Sequence, residues 1–185
     1  MKGGVFTMHL QQWILLAIMA VGGAAVIGSY IHGFATHPGS AETLWGGVSG
    51  GLRIINYCIM ILAALGFFAF SYWLFFRLNP DDVQIAGKFG FWIFDVIFLV
   101  ILIPSILWMP LTYAYLANPS TALWISIRVV LALVGVGALG LLWAIVTISP
   151  RETGLAYWFA FSGAIAFCLQ TTVLDTFIWP VLFRA

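Results

Sequence analysis

The chain has 185 residues, of which 63% are hydrophobic and only 7% charged, and its seven lysines and arginines nearly balance its six aspartates and glutamates. Soluble domains are about 25% charged, so this composition, with a mean hydropathy of +1.10, excludes a disordered chain, a nucleic-acid-binding protein and a secreted disulfide scaffold. A membrane-spanning helix needs about 20 apolar residues. We therefore predict an all-α polytopic membrane protein, in which residues 1–185 form a single five-helix transmembrane bundle.

The five spans follow one another closely along the chain. We predict them at about residues 12–31, 51–76, 91–115, 122–148 and 150–182. The first span follows Lys2 as a signal peptide would, but its apolar run is long for one, so we take it as a retained helix. Residues 32–50 contain a proline, serines and several glycines, a composition that predicts a loop or interfacial structure rather than a span.

The three shorter connections predict tight turns between helices. Residues 79–82 (Asn-Pro-Asp-Asp) have the pattern of a helix start, with a capping residue followed by proline. The third span then contains Pro104 and Pro110, which predict a kink. Residues 118–120 (Asn-Pro-Ser) turn the chain into the fourth span. Residues 149–152 (Ser-Pro-Arg-Glu) match a capping box and predict the start of the fifth span.

Lysines and arginines near the span ends predict the orientation in the membrane. One side collects Lys2, Arg77, Lys88 and Arg151, and the other side collects Arg53, Arg128 and Arg184. Two of the latter three lie inside predicted spans rather than in loops, which strengthens the positive bias of the first side. We expect the amino terminus inside and the carboxyl terminus outside, in a bacterial inner membrane.

Ionisable residues inside the spans are the first candidates for function, because each is costly in the membrane unless it is paired or hydrated. Counting 1.5 Å per residue from the span ends places Arg128 and Asp175 at one depth in the outer half, with Arg53 slightly above them. These groups either form the polar floor of a ligand site, or Arg128 and Asp175 form a buried salt bridge that fixes helix register. Asp95, near an inner span end, is expected to pair with a cation such as Lys88.

Aromatic and polar residues at the same depth predict the walls of an outward-opening pocket under the first loop. The candidate wall residues are Tyr57, Trp108, Thr112 and Trp179. Polar neighbours at this depth include Asn56, Ser105, Gln170 and Thr171. An aromatic face can stack on a flat ligand. His32, at the outer end of the first span, could ligate a chlorophyll-type pigment, whereas no second histidine at matching depth supports a bis-histidine haem.

Small residues mark where helices approach closely. The first span carries a stripe of Ala20, Ala24, Gly28 and His32, and the fourth carries Gly135, Gly137 and Gly140. Either stripe could pack within the bundle or against a second copy of the chain.

The carboxyl-terminal half carries a set of residues with the spacing of a known family. They are residues 108–113 (Trp-Met-Pro-Leu-Thr-Tyr), Pro119, Tyr157 with Trp158, Asp175 and Trp179. With the five-span topology, this set resembles the TspO/MBR family, the translocator or tryptophan-rich sensory proteins. The family would have asparagine at position 175, and its proline-rich start of helix two and its Trp-x-x-Leu-Tyr signature are absent. The resemblance implies a five-helix fold that binds flat hydrophobic ligands, including porphyrins and sterols.

We expect a non-enzymatic integral membrane protein that binds a small hydrophobic ligand, porphyrin-, sterol- or lipid-like and perhaps anionic, in a pocket within the bundle. The sequence offers no catalytic triad, no paired carboxylates, no phosphate loop and no metal-ligand set. No cofactor is required, although a tetrapyrrole or a lipid would suit the pocket. Two alternatives stay open: a structural or accessory subunit of a respiratory or photosynthetic membrane complex, and a small transporter or channel. The expected partners are the lipid bilayer and a second copy or a larger membrane complex, not nucleic acid.

Overall fold

The structure is a computed structural model that describes residues 8–151 and 153–183. Lys2 and Arg184, two of the charges that predict the orientation, lie outside the described residues. Glu152, the last residue of the predicted capping box, lies outside them as well.

Five long apolar helices dominate the described part of the chain. In chain order the helices are α1 (Leu10–Thr36), α2 (Ala41–Trp45), α3 (Gly50–Phe76), α4 (Ile93–Ala117), α5 (Thr121–Thr147), α6 (Leu155–Cys168), a π-helical segment (Leu169–Ile178) and α7 (Trp179–Leu182). The last three form one continuous span over Leu155–Leu182. The five spans are 25 to 28 residues long and apolar enough to cross a membrane, so the predicted all-α five-helix bundle is confirmed.

The first helix continues beyond its predicted end at residue 31. Thr36 satisfies the carbonyl groups of the last turn, because its Oγ1 donates to His32 O at 2.7 Å and lies 3.2 Å from Gly33 O. The sequence predicted the end of the span just before His32, but the helix continues to Thr36. The first loop is correspondingly shorter, and it contains α2.

A short antiparallel ribbon joins two connections that are far apart in sequence. β1 (Gln84–Ile85) pairs with β2 (Ile148–Ser149), with Ile85 opposite Ile148. Both isoleucines are buried, so the ribbon covers the core with apolar side chains. We call this end of the bundle, where α1 begins and α3 ends, the ribbon end. The opposite end, which holds α2, is the loop end.

Two of the predicted helix starts are wrong, and both lie at the ribbon end. Residues 79–82 form a turn that leads into β1, and Ser149 ends β2 instead of capping a helix, so that α6 begins only at Leu155. Asn-Pro and Ser-Pro occur in turns as well as at helix starts. Here the two connections pair as β1 and β2, so both dipeptides lie in turns or strand ends and not at helix starts. The turn before α5 is confirmed, since Ser120 Oγ accepts a hydrogen bond from the Leu123 amide at 3.3 Å.

The spans are arranged in the spatial order α1, α4, α5, fifth span, α3. The core is thickest towards the ribbon end, where Phe70, Phe91, Phe94 and Phe98 are almost completely buried. α4 runs through both Pro104 and Pro110 without ending. The two helices at the ends of this row, α1 and α3, therefore come to face each other across the bundle.

Glycines set the closest helix contacts. A Cβ on Gly66 of α3 would lie 2.5 Å from Gly163 Cα of α6, and the reverse holds equally. Of the predicted α5 stripe, Gly137 packs against Ile101 of α4 and Gly135 against Thr176, so this stripe serves packing inside the bundle. The α1 stripe faces outward instead: nothing lies within 4 Å of a Cβ built on Gly28.

Candidate functional site

The helices α1 and α3 are joined at the ribbon end through Gln12. Its Nε2 lies 3.0 Å from Phe75 O, 3.2 Å from Leu78 O and 3.4 Å from Leu74 O, and its side chain is only 2% exposed. The carbonyls of Leu74 and Phe75 belong to the last turn of α3, where helix carbonyls lack partners within the helix, and Leu78 follows just after that helix. α1 packs along α4, and α3 packs mainly along α6, the half of the fifth span nearer the ribbon end. This leaves a gap between α1 and α3 towards the loop end.

A cavity of about 480 Å³ lies in this gap, and residues from all five spans and from α2 line it. Its volume falls within the range of small-molecule sites, about 300–1,000 Å³. On one side of the gap is Phe34 of α1, 43% exposed, and on the other is Met60 of α3, 44% exposed. These half-exposed side chains border the cavity on the lateral, apolar surface of the bundle, and we call this side its lateral mouth.

The loop end of the cavity is covered by α2. The Trp179 indole donates from Nε1 to Leu44 O at 2.8 Å, and Ser40 Oγ lies 2.7 Å from the Tyr113 hydroxyl oxygen. The His37 ring stacks on Tyr113 with a centroid distance of 4.0 Å. The sequence suggested a pocket that opens outward under the first loop. In the structure, these contacts hold the loop over the cavity, and the mouth lies at the side.

A polar network lies in the wall formed by α3 and the fifth span. Gln170 Nε2 donates to Asn56 Oδ1 at 3.0 Å and to Asp175 Oδ1 at 2.9 Å. Gln170 Oε1 and, across the cavity, Trp108 Nε1 are buried without a hydrogen-bond partner. Asp175 Oδ2 has no hydrogen bond to the described residues, and it is not one of the buried atoms that lack a partner. All four residues line the cavity.

The π-helical segment makes this network. Gln170 and Asp175 are five residues apart in sequence, which corresponds to about 140° around an α-helix but to one turn of a π-helix. The same geometry lets Thr176 Oγ1 donate to Thr171 O at 2.8 Å. A wide turn within the fifth span thus directs the amide and the carboxylate to the same cavity.

Two of the predicted aromatic wall residues line the cavity. Trp108 and Trp179 lie with ring centroids 5.9 Å apart at 71°. Tyr30 of α1, which sequence reasoning missed, lies 5.7 Å from Trp108. A signal for it existed in the sequence, because Val26, Tyr30 and Phe34 form a stripe of large residues at four-residue spacing, and all three line the cavity.

The expected ion pair between Arg128 and Asp175 does not form in the described residues. Arg128 is exposed on α5, while its neighbours Ile127 and Leu131 are buried. Thr176 Oγ1 also lies 2.9 Å from Leu131 O, so the buried face of α5 is turned towards the fifth span and Arg128 lies on another face. Counting residues placed the two charges at similar depth, but depth does not determine the direction of a side chain around the helix.

Arg53 also lies outside the cavity lining. Its Nη1 lies 2.9 Å from Glu42 Oε2, its Nε donates to Val48 O at 3.1 Å, and its guanidinium lies 5.3 Å from the centroid of the Trp45 ring. The arginine thereby joins the start of α3 to α2. Of the three charges predicted as the floor of the site, only Asp175 lines the cavity.

Three other predicted site residues are placed away from the cavity. Tyr57 is 46% exposed and contacts the Trp45 ring at 5.0 Å. Thr112 is fully buried, and its Oγ1 donates to Trp108 O at 2.8 Å, which is a bond within α4. His32 is exposed on α1, so it does not present a ligand to a cofactor in the cavity.

Asp95 lies in the first turn of α4 without the expected cation. Among the described residues it forms no ion pair with Lys88 or Arg77, and its Oδ1 is buried without a hydrogen-bond partner. Its place in the first helical turn lets the helix dipole stabilise negative charge there.

Comparison of the chain with models of protein families, with curated proteins and with solved structures gives no match. Within residues 8–151 and 153–183, no group of three or more His, Cys, Asp and Glu side chains could hold a metal ion. A smaller cavity of about 330 Å³ lies at the ribbon end, with Arg77 and Asp82 in its lining. The candidate site is the larger cavity, which combines a carboxylate, two carboxamides and several aromatic rings.

Proposed function

We propose that this integral membrane protein binds a small, largely apolar molecule in the cavity between α1 and α3, and that it is not an enzyme. The observation that carries this proposal is the cavity of about 480 Å³ to which all five spans contribute. Ligand sites are typically apolar hollows with a few polar groups that fix orientation. The Asn56–Gln170–Asp175 network supplies such groups.

Two polar atoms in the cavity walls support a ligand with a polar group. Gln170 Oε1 and Trp108 Nε1 are buried and lack partners, and an unsatisfied buried donor or acceptor costs about 1–3 kcal/mol. A ligand whose polar group reaches these walls would offset part of that cost, while its apolar part contacts side chains such as Val134 and Phe167.

The lining favours a sterol- or lipid-like ligand over a porphyrin. None of the described residues that line the cavity is a lysine, an arginine or a histidine. A porphyrin would bring carboxylates without a cation to meet them, and a haem would lack an axial histidine. The resemblance to the TspO/MBR family stays a prediction, and the proposal does not depend on it.

We also propose that the ribbon end faces the inside of a bacterial cell, in the inner membrane. Arg77, Lys88 and Arg151 lie at this end of the described chain, and loops on the cytoplasmic side carry an excess of such residues.

Photo-crosslinking tests the proposed site. A long-chain alcohol that carries a diazirine is bound to the protein in nanodiscs, and the labelled residues are mapped by mass spectrometry. We expect labels on cavity residues such as Trp108 and Phe167, and their loss in Val134→Phe, which fills the cavity. Val136→Phe is the matched control, because Val136 lies on the same helix but is 60% exposed. Equal labelling of the cavity in both variants would contradict the proposal.

A second candidate function is that of an accessory subunit in a larger membrane complex. It is favoured by α1, which packs mainly on α4 and buries only Gln12, Leu15, Met19 and Gly33. Its outward-facing stripe of small residues suits a neighbouring helix, either of another subunit or of a second copy. Purification in a mild detergent discriminates: co-purifying subunits favour this function, and a stable monomer contradicts it.

A further inference from the structure

The charge of the cavity points to the class of its ligand, an inference that rests on the proposed function. Asp175 is the one acidic or basic side chain among the described residues that line the cavity. The nearest predicted cations are engaged or directed elsewhere: Arg53 is held by Glu42 and Val48 O, and Arg128 is exposed on α5. Among the described residues, the carboxylate accepts a hydrogen bond from the Gln170 amide through Oδ1, and its Oδ2 is left for a ligand.

Two hydroxyl groups of the cavity lining are already committed as donors. Ser105 Oγ donates to Ile101 O at 2.7 Å, and Thr171 Oγ1 donates to Phe167 O at 2.9 Å. Because a hydroxyl has one hydrogen and two lone pairs, both present only acceptor sites to the cavity. Together with the Asp175 carboxylate they give this wall several acceptors, and the unpartnered donor of the cavity, Trp108 Nε1, lies across from them.

Aromatic rings surround the same space. Trp108 lies between Tyr30 and Trp179, with centroid distances of 5.7 and 5.9 Å, and Trp45 completes the lining on the side of α2. The face of an aromatic ring carries negative electrostatic potential and attracts cations, and tryptophan does so most strongly. These rings line the same cavity as the Asp175 carboxylate, and both kinds of group attract an ammonium group.

We propose that the cavity selects hydrophobic amines, with the protonated amino group against Asp175 and the aromatic rings. An ammonium offers up to three hydrogen-bond donors and no acceptor, which matches the acceptors of the wall. The apolar body of the amine extends past Val134 and Met60 towards the lateral mouth, so that the molecule reaches the site from the lipid phase. A cation there also compensates a carboxylate that is otherwise costly at this depth.

The test compares two probes that share one apolar chain, a diazirine-bearing long-chain primary amine and the corresponding alcohol, in nanodiscs of zwitterionic lipid. For the unmodified protein we expect the amine to bind about tenfold more tightly than the alcohol. Asp175→Asn, which keeps the acceptor for Gln170, should remove this preference. Asp81→Asn is the matched control, since it makes the same substitution at an exposed carboxylate of the ribbon end, outside the cavity, and it should keep the preference.

Equal binding of the two probes to the unmodified protein, or an amine preference that survives in Asp175→Asn, would overturn the amine proposal. In that case the proposed function would still hold if the alcohol binds to the unmodified protein and not to Val134→Phe. If neither probe labels the cavity, the proposed function itself fails. The thermal unfolding temperature of Asp175→Asn, compared with that of the unmodified protein, reports whether the variant has kept its fold.

Discussion

The Gln12 amide shows how a single polar side chain can hold two membrane-spanning helices together. It supplies donors to the carbonyl groups that end α3, while its Oε1 accepts from the His9 amide at 3.0 Å. No water competes for these groups in the interior of the bundle, so their loss leaves carbonyls unsatisfied. Gln12 therefore closes the ribbon end of the gap that contains the cavity.

Replacing Gln12 by leucine should lower the free energy of unfolding by about 1–3 kcal/mol, because buried carbonyls of α3 lose their donor. Thermal unfolding of the detergent-solubilised protein, followed by tryptophan fluorescence, measures the effect. Gln11→Leu is the matched control: its Oε1 is buried without a partner, so removal should be neutral or stabilising. A Gln12→Leu variant as stable as Gln11→Leu would contradict this role.

The charged residues show what sequence alone could establish at the residue scale. Counting along the spans placed Arg53, Arg128 and Asp175 in one half of the membrane, and the structure keeps all three towards the loop end. Their partners could not be predicted, because these depend on the direction of each side chain around its helix. Arg53 pairs with Glu42 on α2, a helix that the glycine-rich loop did not indicate.

At the scale of elements, the contact of α3 with α6 depends on two glycines. Gly66→Ala should destabilise the protein by about 1–3 kcal/mol, because its Cβ would lie 2.5 Å from Gly163 Cα, where only backbone can move aside. Gly28→Ala is the control, since nothing lies within 4 Å of the added Cβ on α1 and alanine favours the helix. The unfolding temperatures of the two variants measure the difference, and equal values would speak against a close crossing.

A second prediction concerns the gap between α1 and α3, which we expect to be the route by which a probe enters the cavity. Met60→Trp should close the lateral mouth and slow probe binding, because Met60 lines the cavity and is 44% exposed at its rim. Ile61→Trp adds the same ring at a neighbouring position that is 62% exposed and outside the lining, and it should not change the rate. The time course of photo-labelling measures both, and unchanged labelling of Met60→Trp would place the access route elsewhere.

The fifth span explains why the site could be predicted only in part. Asp175, Trp108 and Trp179 stood out as a charge and two aromatics at one depth, and all three line the cavity. The bond from Gln170 to Asp175 could not be foreseen, since an α-helical period places these residues on different faces. The local change to a π-helix has no simple sequence signature, yet it assembles the network.

At the scale of the whole molecule, composition and apolar runs were enough to predict five spans. The ribbon could not be predicted from them, because it depends on the pairing of Ile85 with Ile148, which lies far along the chain. The order of the helices in space likewise follows from packing, and this order creates the gap that contains the cavity.

The orientation is tested by cysteine labelling in intact bacterial cells, in a Cys58→Ser background that removes the exposed native thiol. Ser49→Cys at the loop end and Ser149→Cys at the ribbon end are matched, because both serines are exposed. A membrane-impermeant maleimide should label Ser49→Cys directly and Ser149→Cys only after permeabilisation, as the cationic ribbon end requires. The reverse pattern would invert the proposed topology.

Native mass spectrometry of the protein, released from nanodiscs after incubation with the long-chain probe, shows whether the cavity binds a ligand. We expect one probe molecule per chain, lost in Val134→Phe, whose added ring occupies the cavity, and kept in Val136→Phe on the exposed face of α5. The absence of a one-to-one adduct, or its equal survival in both variants, would contradict the claim that the cavity between α1 and α3 binds a ligand.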